Sequence, residues 1–506
     1  MNEHGGVVKG SRRSTAWVIL VGVLVVVFGL LIAVDAGRLR ERLFGGTGGP
    51  RIQSIVVLPL KNLSGDAQRE YFARGVSGEL SYDLSLIGTA RVIAANSANR
   101  YRKVPKPLPD IARELGVDAV VQGGVQSSGD HVRIDVNLTH ALTGRRMWEH
   151  TYEGRLREVP ILLGQISRTV AGEIKAPVTP AQDQRFRAIR PVDPGALDAY
   201  LRAEYGGAGS DGEQYLQQAT RLDPGFAMPF ASLAGQYYWS NFWPAFPPRD
   251  TYPRARQAAA QALAIDPTNA PAHFYSALVA MEYDWNFAEA EREFKKNLEL
   301  RPNCVDTHHM YAHFLLSMGR MEEAKAETRR ALEIDPADAG LVACVAWHDV
   351  TMEQYDQAEK HCTQAASMGA GGEALHLWLG WAHEQRGRFD DAILEFQKAV
   401  VASENGVLFN AALGHAYAVA GRQAEAQQVL DRLLERAKTE YVSPYEIAVV
   451  YAGLGDRDRA FEWLEKAYQD RASFLPHFRM DPRIWSLRSD ARFQSLLRRM
   501  NFPQGG

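Results

Sequence analysis

The chain has 506 residues, a net charge of −3 and 23% charged side chains. That is length for two or more domains, without the global basic field that draws nucleic acid. Three cysteines without CxxC spacing, Cys304, Cys344 and Cys362, argue against a disulfide framework and a cysteine-built zinc site.

Residues 1–15 form a short tail carrying Lys9, Arg12 and Arg13. Residues 16–34 (AWVILVGVLVVVFGLLIAV) hold no charge, and as a helix would span about 28 Å, close to the hydrocarbon core of a bilayer. The run exceeds the usual signal-peptide core of about 7–15 residues, so a retained transmembrane helix is expected, with cleavage near Ala36 as the alternative. Arg38, Arg40 and Arg42 follow the span and nearly balance the basic residues before it. The short basic tail is expected to stay inside, which places the bulk of the chain outside the cytoplasm. Residues 35–50, ending in GGTGGP, read as a juxtamembrane linker.

Residues 51–176 alternate strand and helix signals. IQSIVVLP (52–59) is a continuous apolar strand, and Phe72, Val76, Leu80 and Leu84 follow at helical spacing. Strands are expected again at 90–94 and 119–126, with a helix at 108–115 between them. Residues 131–140 and 146–153 alternate apolar and polar, as a half-exposed antiparallel pair does. A helix over 160–174 closes the unit. Strands separated by helices and then consecutive strands predict an α/β domain with a mixed sheet. Residues 62–66 (NLSGD) precede a helix and read as its cap, through Ser64 or Asp66, rather than as an anion site. Gly123 and Gly124 inside a strand indicate close packing or a bulge. Residues 177–194, punctuated by prolines, read as a linker.

Residues 195–488 repeat. Ala290, Ala324, Ala358, Ala392, Ala426 and Ala460 stand 34 residues apart. Gly319, Gly387, Gly421 and Gly455 lie five residues before rungs of this ladder, and Pro302 and Pro336 lie twelve after. Alanine permits close helix approach, glycine the turn, and proline the stop. Period and pattern are those of the tetratricopeptide repeat, and about eight units of an all-α solenoid are expected. The 43-residue interval between Pro224 and Pro267 places an insertion in WSNFWPAFPPRD. Cys362 falls where sister units carry Phe294, Phe396 and Leu430, the place of a buried thiol. Residues 489–506 are expected to hold a capping helix and tail.

Two stretches, IVVLPLKNLSGDAQREYFARGVSGEL and ELGVDAVVQGGVQSSGDHVRIDVNLTHALTGRRMWEHTYEG, resemble the TolB-like amino-terminal domain of bacterial regulators. In that group the domain precedes tetratricopeptide repeats and follows a winged helix, kinase or cyclase domain. With fifteen residues before the apolar span, none of those output domains is expected here, and the resemblance implies a sensory or scaffolding role at a bacterial inner membrane, with the bulk periplasmic.

No phosphate loop, HEXXH helix, kinase set or GxSxG elbow occurs, so neither an enzyme nor a cofactor is expected. His309 and His313 are four apart and could share a metal, but no third ligand neighbours them in sequence, so no metal is expected. Repeat positions that line a concave face are occupied by Tyr275, Glu282, Tyr283, His309, His313, Trp347, Trp381, Glu384, Gln385, His415 and Tyr445. Rings with polar tips suit a groove for an extended peptide. The expected function is a non-catalytic, membrane-anchored scaffold for protein or peptide partners, without nucleic acid. The alternatives are a sensory subunit that signals to a separate transcription factor or kinase, and an envelope assembly factor.

Overall fold

The computed structural model describes residues 52–102, 106–207, 211–241 and 246–503. The apolar span, its basic tail and the juxtamembrane linker lie outside the described residues. Among the described residues no helix is long and apolar enough to cross a membrane.

A mixed sheet comes first. Strands β1 (Ser54–Val57), β2 (Lys61–Asn62), β3 (Arg91–Val92), β4 (Ala119–Ser128), β5 (His131–His140) and β6 (Arg146–Arg155) form it in the order β3-β1-β4-β5-β6, with β2 beside β4. β1 runs parallel to β3 and β4, whereas β4, β5 and β6 form an antiparallel meander. The two-residue alternation of β1 sends Ile55 and Val57 to one face and Val56 to the other. Helices α1 (Glu70–Ser85), α2 (Ala95–Asn99), α3 (Leu108–Leu115) and α4 (Val159–Glu173) complete the unit. As read from NLSGD, Asp66 caps the turn before α1, accepting from the Gln68 amide at 2.9 Å. Asn62 of the same motif pairs instead in β2, a strand too short to leave a periodic signal. A Cβ on Gly123 would collide with the Asp135 carbonyl of β5, which is why that strand position is glycine.

The expected linker is not irregular throughout. Helix α5 (Pro180–Ala188) sits inside it, started by Thr179, which accepts from the Gln182 amide while Gln182 accepts from the Thr179 amide. Pro180 stands at its first position, where a missing N–H is tolerated.

Among the described residues sixteen helices follow, as eight antiparallel pairs. They are α6 (Pro194–Tyr205) with α7 (Gly212–Leu222), α8 (Ala227–Trp239) with α9 (Pro248–Ile265), and α10 (Ala270–Val279) with α11 (Phe287–Leu300). Next come α12 (Val305–Ser317) with α13 (Met321–Ile334), α14 (Ala339–Thr351) with α15 (Tyr355–Ser367), and α16 (Glu373–Gln385) with α17 (Phe389–Ala402). The last are α18 (Val407–Val419) with α19 (Gln423–Arg436), and α20 (Pro444–Gly453) with α21 (Arg457–Asp470). Every alanine of the ladder is fully buried. The turn glycines adopt φ of +72° to +79°, and at the same repeat position Trp285 and Glu353 take the left-handed conformation without glycine. The chain ends in helix α22 (Ala491–Arg499), which lies on α21 through Arg492 with Asp458 and Arg499 with Glu465.

Sheet and solenoid share one continuous core, from Ile55 and Val121 through Leu80 and Leu201 to Trp381. Polar contacts fix the junction. Asn303 donates to the carbonyls of Gly88 (3.1 Å) and Ala90 (3.2 Å), and Arg301 donates to Ser85 at 2.8 Å. Arg91 of β3 reaches back to the Ile334 carbonyl at 3.0 Å. Ala392 has no exposed surface, so Ala392→Leu must push α17 from its neighbours. A loss of about 1–3 kcal/mol is expected, read as a lower urea midpoint at unchanged slope.

Candidate functional site

Two places on the described chain concentrate unusual chemistry: the concave side of the solenoid, and the junction between its first units and the sheet domain.

On the concave side the chain meets itself. After α21, residues 471–490 leave the helical pattern as two 3₁₀ segments, Leu475–His477 and Pro482–Leu487. They lie across the inner helices. Two prolines and two short polar starts stop this stretch from continuing as a helix. Arg483 has no exposed side-chain surface. It donates to Asp481 at 2.6 Å and to Glu446 at 3.1 Å, and its guanidinium carbon lies 4.7 Å from the centre of the Trp381 ring. Tyr445 donates to Asp481 at 2.8 Å. Upstream, His477 meets Glu282 at 3.0 Å and Ser317 at 3.0 Å. Phe474 and His477 pack 6.0 and 5.0 Å from Trp347. Arg471 donates to the Tyr283 carbonyl, and Phe502 closes on Phe287 at 4.7 Å.

The positions read from the repeat as groove residues therefore fall as follows. Glu282, Tyr283, Trp347, Trp381 and Tyr445 touch residues 471–483 directly. His313 lies 6.2 Å from His477. His415 pairs with Glu384 at 3.1 Å, and Gln385 donates to Glu384 at 3.4 Å. Tyr275 packs on Phe274 and accepts from Trp239. His309 contacts His313 at 3.0 Å. Trp381 is 1% and Trp347 7% exposed, because the chain's own carboxy-terminal segment fills the space in front of them. The segment 471–488, expected to be solenoid, is the occupant of its groove. Arg483 and Asp481 escaped the sequence reading. The signal was the unpaired acid Glu446 on an inner helix, which demands a cation.

Burial outweighs Arg483 at Glu446 and raises its carboxyl to about 7. At Asp481 burial works the same way, but the Arg483 charge and hydrogen bonds overcome it and hold the group below its ordinary range.

The third metal ligand that the sequence lacks comes from the next repeat. His348 of α14 joins His309 and His313 of α12, with ligand nitrogens all within 4.8 Å of one another. Spacing along one helix could not reveal a partner 35 residues away. Burial pushes His309 down to about 4, and burial with the neighbouring histidines holds His313 and His348 well below the ordinary imidazole value.

At the junction lies a cavity of about 650 Å³, walled by α1, α4, α5, α6 and the turns before α8 and α10. Val76, Leu163, Phe186, Leu201 and Met228 make its sides apolar. Glu79 and Asp83, one turn apart on α1, face it together with Tyr82 and Arg185. Glu79 accepts from Tyr200 at 2.6 Å and from Tyr205 at 3.4 Å. Burial, with the neighbouring acids Asp83 and Glu204, raises Glu79 to about 8 despite the tyrosine hydrogen bond. Burial raises Asp83 to about 7, opposed by Arg185.

Residues 286–345 and 346–407 match family models described as tetratricopeptide repeat, and the segment is made of such repeats. Over 250 residues the chain is 29% identical to "Putative adenylate cyclase 3" of Rhizobium meliloti (strain 1021), covering 48% of this chain and 42% of that protein. The match thus spans less than half the length of that curated relative. Among solved structures, a tetratricopeptide repeat protein from Parabacteroides merdae ATCC 43184 is similar at 13% identity and a TM-score of 0.36, over 54% of this chain and 98% of that one. The human IFIT1 dimer with m7Gppp-AAAA is similar at 15% identity and a TM-score of 0.43, over 67% and 82%.

Arg483→Ala leaves Asp481 buried without its cation. The expected cost is about 3–5 kcal/mol, read by chemical denaturation, with red-shifted emission as Trp381 gains water. The junction carboxyls predict a pH effect of opposite sense to ordinary acid denaturation. Their folded pKa values lie above the unfolded ones, so their contribution is complete below about pH 4.5 and is lost as pH rises through about 7 to 8. The urea midpoint should fall as pH rises from about 4.5 to 8, and the fall should shrink in Glu79→Gln.

Proposed function

We propose that this protein is a non-catalytic, ligand-responsive scaffold. Its junction cavity takes a small, largely apolar molecule carrying a basic or hydrogen-bond-donating group, and its repeats carry protein partners. Tetratricopeptide domains in general bind proteins or peptides, which supports the second half. The cavity carries the first. Its volume of about 650 Å³ falls within the range of about 300–1,000 Å³ typical of small-molecule sites, and its apolar walls surround two titratable carboxyls. Both the sheet domain and the solenoid contribute walls, so an occupant would alter how firmly the two halves are joined.

The resemblance of residues 51–176 to TolB-like domains of regulators agrees with a sensory role. The concave face enters this reading as a peptide site already served by the chain's own segment, and a partner that uses Trp347, Trp381 and His313 competes with residues 471–483. We place the protein at a bacterial inner membrane through residues 16–34, with the described part periplasmic. A reporter fused after Gly506 and active only outside the cytoplasm supports that orientation, and cytoplasmic activity overturns it.

A fluorescent alkylamine tests the cavity. It should bind the intact chain once, more tightly as pH rises from 6 to 8.5 and Glu79 and Asp83 ionise. Leu163→Trp, which fills the space, should weaken binding by at least about tenfold, the equivalent of about 1.4 kcal/mol. Equal binding by parent and Leu163→Trp would reject the site.

A further inference from the structure

His309 and His313 lie on one face of α12, as residues four apart on a helix do, with their Nε2 atoms 3.0 Å apart. His348 faces them from α14, its ring centre 4.4 Å from that of His313 and 5.2 Å from that of His309. Among the described residues this is the only grouping of three such ligands. Nδ1 of His348 is engaged by the Thr328 hydroxyl at 2.7 Å. Its Nε2 is buried and meets no hydrogen-bond partner, although the residue has no exposed surface at all.

Packing does not account for an imidazole there. The same repeat position is Phe314 one unit earlier and Ala382 and Ala416 in the units that follow. Those residues fill the core without a polar atom to satisfy, whereas an unpaired buried nitrogen is costly. Three imidazoles whose ring nitrogens converge, one of them with no other partner, call for an electrophile at their centre.

We infer that His309, His313 and His348 form a site for one divalent late first-row transition-metal ion, with Zn²⁺ the leading candidate. Imidazole nitrogens suit such ions, whereas calcium and magnesium require oxygen ligands. Zn–N bonds of about 2.0–2.1 Å in tetrahedral array put ligand nitrogens about 3.4 Å apart. The observed separations, from 3.0 Å to within 4.8 Å, bracket that value. In the His309–His313 pair one Nε2 donates to the other. On binding, that ring shifts its proton to Nδ1, both Nε2 lone pairs turn to the ion, and no net proton is lost. Thr328 holds the outer nitrogen of His348, the usual second contact of a metal-ligating histidine. His309 is only partly buried and gives the ion its approach, and three protein ligands leave a fourth position to water. The ion would clip the fourth unit to the fifth, α12 to α14. This inference is independent of the junction cavity.

The test uses the intact chain with its affinity tag removed, equilibrated with Zn²⁺ alone against a competing chelator, with bound zinc counted by elemental analysis. One zinc per chain is expected, with a rise in Tm of about 5 °C as the ion binds the folded state. Thr328→Val should weaken binding by about 10-fold or more, and His309→Gln, at the partly exposed ligand, by about 100-fold while keeping the fold. His376→Gln, which alters a histidine paired with Glu395 in the sixth unit, should bind as the parent does. Because Cu²⁺ quenches nearby indoles, quenching of Trp347, 4.2 Å from His313, should be lost in His309→Gln. Failure of the intact chain to hold one zinc, or equal affinity in the folded His309→Gln variant, overturns the site.

Discussion

Arg483 is the charge around which the inner side of the solenoid closes. Its guanidinium is wholly buried between Asp481, Glu446 and the face of Trp381. A cation so placed is tolerated only while its carboxylates remain, because each partner left alone would keep a desolvated charge. The network therefore acts as a lock more than as a source of net stability. It joins the last stretch of chain to the inner helices of units six and eight, and His477 with Glu282 extends the connection to unit three. The segment thus bridges units three, six and eight along the inner face of the solenoid.

The junction with the sheet domain is built on another principle. Here the contacts are largely apolar and continuous with the general core, while a few side chains, Asn303, Arg301 and Arg91, satisfy carbonyls at its edge. Packing is incomplete where α1, α5 and α6 diverge. Glu79 and Asp83 stand partly buried at the wall of the resulting space, and burial raises both carboxyls. A rigid groove and an imperfect, titratable junction on one molecule suit a part that holds its shape while responding at one joint.

The repeat was legible because its constraint is local and recurs. An alanine at each helix crossing and a turn five residues earlier report the same geometry six times, and all those alanines are buried. The mixed sheet was legible too, since β1, β4 and β5 carry unbroken or strictly alternating apolar runs. Helix α5 was hidden because Pro180, at its first position, resembles linker punctuation. The occupant of the groove positions was invisible: residues 471–488 show no periodicity, and their partners lie up to 195 residues away. His348 was missed for a related reason. A ligand set assembled across two repeats has no spacing signature on either helix.

The carboxy-terminal segment fills the groove of its own solenoid. Native-state hydrogen exchange of the intact protein, resolved to peptides covering residues 474–488, measures this without any substitution. Residues 477–488 contain backbone amides bonded within their 3₁₀ turns and buried beneath the inner helices. They should exchange only with the cooperative opening of the solenoid, at rates like those of α16 and α20. Exchange near the rate of an unstructured peptide, while those helices stay protected, would show an open groove and contradict the account.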